Sequence, residues 1–255
     1  MYSLSPSRYI TEVKITYIRD NLRYTKENVF TIFGQKYEDS SKGKVVWITG
    51  ASSGIGEYLA YVLAEAECKL ILSARREAEL EKVKANCLQK NINLKNSDIE
   101  IILLDICDIK NHEPAFNNVI AKFGKLDILV NNAGRSQRAQ WENIDIFVDK
   151  EMFNLNVFSP IALSRLVAKY FFKVGAGHFV ITSSIAGISG VPFSATYCAT
   201  KSAINAYFNS FNIEKIGKNI PITIVCPGPV QTNFLTEAYT EKSEIFGKYR
   251  KKLIK

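Results

Sequence analysis

Residues 44–50, KVVWITG, form an apolar run that passes straight into a loop with glycines at 50, 54 and 56, GASSGIG. Few short patterns constrain a fold as tightly. The run is expected to be a short buried strand. A turn directly after a strand needs glycines if backbone amides are to approach a phosphate closely. Residues 55–66 are then expected to form a helix whose positive N-terminus faces that phosphate. The spacing is G-x-x-x-G-x-G, not the general G-x-G-x-x-G fingerprint, so the strand before and the helix after carry the argument.

The same alternation repeats down the chain. Strands are expected at 69–75, 98–105, 126–134, 178–184 and 221–226, with helices at 77–90, about 147–174 and 194–215. Asn131 in a strand core runs against propensity, and it is expected to hydrogen-bond across neighbouring strands. Strands alternating with helices argue for a parallel sheet covered by helices on both faces, with right-handed crossovers. The carboxyl ends of the strands would gather Gly50, Gly54, Gly56, Arg75, Asp105, Asn132, Gly134, Ser184 and Gly228 on one rim. Open α/β sheets bind ligands there.

Two features on that rim carry chemistry. After the second strand, about 20 residues past the glycines, an Asp or Glu would meet a free ribose hydroxyl. This chain has Arg75 and Arg76 instead. Two guanidiniums suit a ribose 2′-phosphate, which favours NADP(H) over NAD(H). A solvated helix start, with Glu77 and Glu79 neutralising the arginines, is the alternative. Further on, Tyr197 and Lys201 stand four residues apart and share one face of the expected helix. An ammonium there favours the phenolate and is expected to draw the phenol pKa down from about 10. Such a tyrosine can exchange a proton with a substrate oxygen. Ser184, ending an apolar strand, can point its hydroxyl at the same oxygen.

At 255 residues the chain is long enough for one large α/β domain. No apolar run reaches the roughly 18–20 residues that span a bilayer, and no secretory signal is legible, so the sequence points to the cytoplasm. The five cysteines are scattered without zinc-like spacing and read as reduced thiols. The net charge of +8 is concentrated at the ends: residues 1–44 hold eight basic and five acidic groups, residues 237–255 six and three. With no basic stripe interleaved with aromatics, nucleic acid is excluded as a partner, while an anionic membrane surface stays open. Residues 1–43 are read as an N-terminal extension, with a helix or interfacial arm over 9–33. Residues 44–255 are read as the catalytic domain.

Together the motifs resemble the short-chain dehydrogenase/reductase family, classical type. They are TGASSGIG at 49–56, Asp105, NNAG at 131–134, Asn156, Ser184, YCATK at 197–201 and PGPVQT at 227–232, in family order and at family-like spacing. The variants LSARR, NNAGRSQR and CPGPVQTN look especially like the member-seven branch, which includes membrane-associated carbonyl and steroid or retinoid reductases. The resemblance implies a Rossmann-like doubly wound parallel sheet. It also implies hydride transfer between NADP(H) and a small lipophilic carbonyl or alcohol, such as a ketone, steroid, retinoid or xenobiotic. Tyr197 would be the general acid or base. Lys201 would lower its pKa and hold the nicotinamide ribose. Ser184 would bond the substrate carbonyl, and Asn156 would anchor a water in a proton relay. Cofactor contacts are implied for Gly50, Ser52, Ser53, Gly54, Ile55, Gly56, Arg75, Arg76, Asp105, Asn132, Ala133, Gly134, Tyr197 and Lys201, and for Pro227, Gly228, Val230 and Thr232. No metal is implied. The branch adds endoplasmic reticulum membrane association, and a homo-oligomer is admissible.

The family continues beyond the position of Thr232 with a lid, a helix and a seventh strand, whereas 23 residues follow here. The sequence is therefore expected to lack the last helix and edge strand, leaving the 221–226 strand as a bare edge. Two functions follow: an NADP(H)-dependent oxidoreductase, or a catalytically impaired nucleotide-binding or scaffold protein.

Overall fold

Successive residues of β2 (Val45–Thr49), all buried, serve two different cores. Val45 and Trp47 pack on one face of the sheet with Ile71, Leu129, Phe179 and Ile181. Val46 and Ile48 pack on the other with Leu70, Leu72, Val130 and Val180. A strand with helices on both sides needs apolar side chains at every position, which is why the run at 44–50 is unbroken rather than alternating. This computed structural model describes residues 15–18, 41–230, 232 and 234–242.

The other strands are β1 (Ile15–Ile18), β3 (Lys69–Ala74), β4 (Ile99–Leu103), β5 (Ile128–Asn131), β6 (His178–Thr182) and β7 (Ile222–Pro227). All pair in parallel, in the order β1-β7-β6-β5-β2-β3-β4. Helices α1 (Gly54–Glu65) and α2 (Glu77–Lys90) contribute to one core. Helices α3 (His112–Phe123), α5 (Ser159–Val174) and α6 (Ala195–Glu214) contribute to the other, and the short α4 (Ile146–Phe153) precedes α5. The chain runs outward from β2 through β3 and β4, then returns to the far side of β2 for β5. The switch point between β2 and β5 opens a crevice at their carboxyl ends.

Four expectations are corrected. First, the strand at β7 is not a bare edge: residues 15–18 pair with it, Ile15 opposite Ile224 and Ile18 opposite Pro227. Parallel strands need not be adjacent in sequence, since a long crossover joins them anyway, so the neighbour of β7 can come from far upstream. The rest of the arm expected at 9–33 lies outside the described residues. Second, the helix expected over 147–174 is interrupted at Asn154–Phe158 by a π-helical turn that separates α4 from α5. Such turns insert a residue into the helical register and often mark functional sites. Third, Asn131 bonds a helix rather than a strand: its amide nitrogen donates to Ser164 Oγ on α5 at 2.9 Å. Fourth, a helix beyond those expected, α3, buries Ala115, Phe116 and Val119 on one side. Among the described residues no helix is long and apolar enough to cross a membrane.

Candidate active site

Thr49 closes β2 with a side chain that works as a staple. Its hydroxyl donates to Val130 O at 3.1 Å and accepts from the amides of Asn132 and Ala133 at 3.0 and 3.2 Å. Asn132 completes the join, its Nδ2 donating to the carbonyls of Thr49 and Gly50, each at 3.1 Å. The glycine loop is thereby pressed against the end of β5. A Cβ on Gly50, whose φ is +67°, would stand 2.8 Å from Ala133 Cα, and one on Gly56 would stand 2.6 Å from Asn132 Nδ2. Only glycine fits such approaches. Ser53, the N-cap of α1, makes no side-chain cap bond, so the helix presents its first amides to the crevice without a local partner. A phosphate fits this cradle, and the donor set is that of a dinucleotide pyrophosphate.

The remaining expected cofactor residues lie around it. Arg75 and Arg76 are exposed beyond β3. Arg76 Nη2 donates to Ser52 and Ser53 Oγ, each at 3.3 Å. Ile55 lies in the first turn of α1. Asp105 follows β4 and turns its carboxylate back onto the Cys107 amide at 3.0 Å. Pro227 ends β7 and leads through Gly228 and Val230 to Thr232, whose methyl would lie 3.4 Å from a Cβ on Gly54.

On the other side of the crevice stand Ser184, Tyr197 and Lys201. Ser184 caps the short turn Ile185–Gly187, accepting from the Ala186 amide at 3.1 Å, and its hydroxyl is close enough to Tyr197 to favour the phenolate. Lys201 is buried, donates to Thr182 O at 2.7 Å and has Nζ 5.8 Å from the centre of the Tyr197 ring. Burial pushes the Tyr197 phenol up to about 12, against a smaller downward pull from Ser184. Burial likewise draws the Lys201 ammonium down to about 8. Burial is the largest influence on the phenol, and Lys201, whose ammonium is engaged by the Thr182 carbonyl, is not among the groups that lower it. At neutral pH the phenol holds its proton, ready to donate it.

Asn156, within the π turn, spends its whole side chain on the scaffold. Its oxygen accepts from the Arg135 amide at 2.9 Å, and its nitrogen donates to Arg135 O at 2.9 Å and to Thr200 Oγ1 at 3.1 Å. Gly134 lies against it: a Cβ there would stand 3.1 Å from Asn156 Oδ1 and 3.7 Å from Lys201 Nζ.

Three features were missed in the sequence. First, residues 232 and 234–242 form a strap. Phe234 packs edge-on against Tyr197, ring centres 5.7 Å apart. Tyr239 bridges Gln137, donating to Ser136 O at 2.9 Å and accepting from the Arg138 amide at 2.8 Å. Arg135 stacks over the Tyr239 ring at 4.4 Å. Second, Gln137 is 0 % exposed with neither amide atom bonded. Third, Phe193 holds a left-handed φ of +60° just before α6, an uncommon state for a bulky residue. No local signal marks any of these, since each depends on a segment remote in sequence. Among the described residues no group of His, Cys, Asp and Glu is placed to hold a metal ion.

A sequence model described as short chain dehydrogenase matches residues 44–243. The mouse protein Dehydrogenase/reductase SDR family member 7 is 44% identical over 211 residues, covering 82% of this chain and 62% of that protein. Its human counterpart is 42% identical over 203 residues, covering 79% and 60%. The chain thus spans about three fifths of the length of these curated relatives. Among solved structures, levodione reductase superposes with a TM-score of 0.72 at 26% identity, covering 76% of this chain and 74% of that one. ElxO with NADP bound gives 0.69 at 27% identity, covering 84% and 80%.

Proposed function

Because this chain belongs to the short-chain dehydrogenase/reductase family, we propose that it is an NADP(H)-dependent oxidoreductase acting on a lipophilic carbonyl or alcohol. The observation that carries this reading is the approach of Ser184, Tyr197 and Lys201 across one crevice from a glycine cradle shaped for a pyrophosphate. The bound nicotinamide would supply or accept the hydride. The chain's own residues hold and move the proton. Ser184 Oγ hydrogen-bonds the substrate oxygen and orients it towards Tyr197. The Tyr197 phenol, protonated at neutral pH, gives that oxygen its proton in reduction and takes it back in oxidation. Lys201 holds the ribose and lends positive charge when the phenolate forms. Asn156 is a positioning residue, tying the 134–135 turn to α6 through Thr200.

Arg76, already over the Ser52 and Ser53 hydroxyls, is the contact for a 2′-phosphate, with Arg75 beside it. Near the crevice Trp141, Ile188, Phe193 and Leu235 are exposed, which suits a lipophilic substrate. The scaffold alternative is not favoured, because the groups that proton transfer requires converge and the strap covers Tyr197.

The test is consumption of NADPH against a panel of aryl aldehydes, cyclic ketones and steroid ketones, by the purified chain and by Tyr197→Phe. The expected result is turnover of at least one carbonyl class, lost by about a hundred- to ten-thousand-fold in the variant with NADPH affinity kept. Equal turnover by the variant would remove Tyr197 from the mechanism.

A further inference from the structure

Arg76 is claimed from two sides. One amino group, Nη2, donates to the hydroxyls of Ser52 and Ser53 at 3.3 Å. The other, Nη1, stands 3.5 Å from Glu237 Oε1, with both side chains about half exposed (50% and 46%). Glu237 is not on a loose end. It belongs to the strap, fixed on one side of it by Phe234 against Tyr197 and on the other by Tyr239 against residues 136–138. The carboxylate is therefore brought to Arg76 by contacts made elsewhere.

We propose that Glu237 sets the cofactor preference by competing with the ribose 2′-phosphate for Arg76, a proposal that rests on the NADP(H) reading above. A 2′-phosphate brings up to two negative charges to this guanidinium. Glu237 then faces it as a like charge, and either the strap shifts or affinity falls. A cofactor with a free 2′-hydroxyl meets the opposite situation. The end of β3 lacks the carboxylate that accepts from that hydroxyl in NAD-binding proteins. Glu237 supplies one from a segment about 160 positions further along the chain. Arg76 and Glu237 together form a reader with one arm for each cofactor, and the strap delivers the second arm.

The experiment measures dissociation constants of NADPH and NADH by nicotinamide fluorescence, and of 2′,5′-ADP and ADP by calorimetry. The proteins are the chain itself, Glu237→Gln and Arg76→Ala, each checked for an unchanged melting temperature. Glu237→Gln removes a solvent-screened charge, so it is expected to tighten NADPH and 2′,5′-ADP by about two- to five-fold while weakening NADH and ADP, which lose the acceptor for the 2′-hydroxyl. Arg76→Ala is expected to weaken NADPH by about ten- to a hundred-fold and NADH little. If Arg76→Ala behaves so while Glu237→Gln leaves the NADPH to NADH ratio untouched, the competition is wrong and the NADP(H) reading stands. If the unaltered chain binds none of the four ligands, or NADH more tightly than NADPH with Arg76→Ala indifferent, that reading falls and the proposal with it.

Discussion

The two walls of the crevice are made by opposite means. The glycine wall is built by leaving side chains out: Gly50 and Gly56 let the loop between β2 and α1 close against Asn132 and Ala133 at the end of β5. The Tyr197 wall is built by burying side chains, and its parts come from β6, α6 and the strap. In the first wall, polar backbone is kept available. In the second, charge is controlled by loss of water, which moves Tyr197 and Lys201 in opposite directions from their ordinary values. A wall made of backbone tolerates no added atom, whereas a wall made of buried ionisable groups tolerates no lost one.

The largest effect that separates the walls is expected from Lys201→Met. Removing the ammonium takes away both a ribose contact and the charge that stabilises the phenolate, so rate and cofactor affinity fall together, each by about ten-fold or more. Stopped-flow reduction beside NADPH titration measures both. A loss of rate with affinity intact would confine Lys201 to the tyrosine and separate the ribose contact from the proton donor.

Gly56→Ala tests the other wall. Its methyl meets Asn132 Nδ2 and the Gly50 carbonyl, and overpacking of this kind destabilises by about 1–3 kcal/mol. Gly190, with nothing within 4 Å of an added Cβ, is the control. Thermal melts should show Gly56→Ala several degrees below Gly190→Ala, with NADPH affinity lost only in the former. Equal melts would mean the cradle has slack.

The smallest effect concerns His178, at the start of β6, whose ring pairs with Thr223 Oγ1 at 2.9 Å. Burial draws its pKa from 6.5 down to about 4. Between those values the unfolded chain binds the extra proton and the folded chain does not, so stability rises with pH through this window. It is lost as pH falls from 6.5 towards 4. Denaturant melts of the chain and of His178→Gln across pH 4–7 should diverge at the acid end, the variant keeping the flatter profile. Parallel profiles would show that burial does not control charge at this strand.

The alternation of strand and helix could be read in the sequence because its causes are local. Apolar runs bounded by turns make strands wherever they lie, and residues 77–90 gave their helix to the residue. The glycine loop was legible for the same reason, since strand, turn and helix N-terminus are one continuous stretch. Tyr197 and Lys201 were legible because a four-residue spacing on a helix fixes a shared face.

What the sequence could not decide were the events between distant segments. The neighbour of β7 comes from residues 15–18, and a parallel ladder leaves no turn signature to announce it. Asn131 found Ser164 on a helix, and Asn156 found Arg135 and Thr200, because buried amides take whichever partner the packing brings. The Tyr197 phenol rose although the spacing of Lys201 argued for a fall. Spacing sets which charges are near, but only the completed fold sets how much water remains around them, and around the Tyr197 phenol the loss of that water is the largest influence.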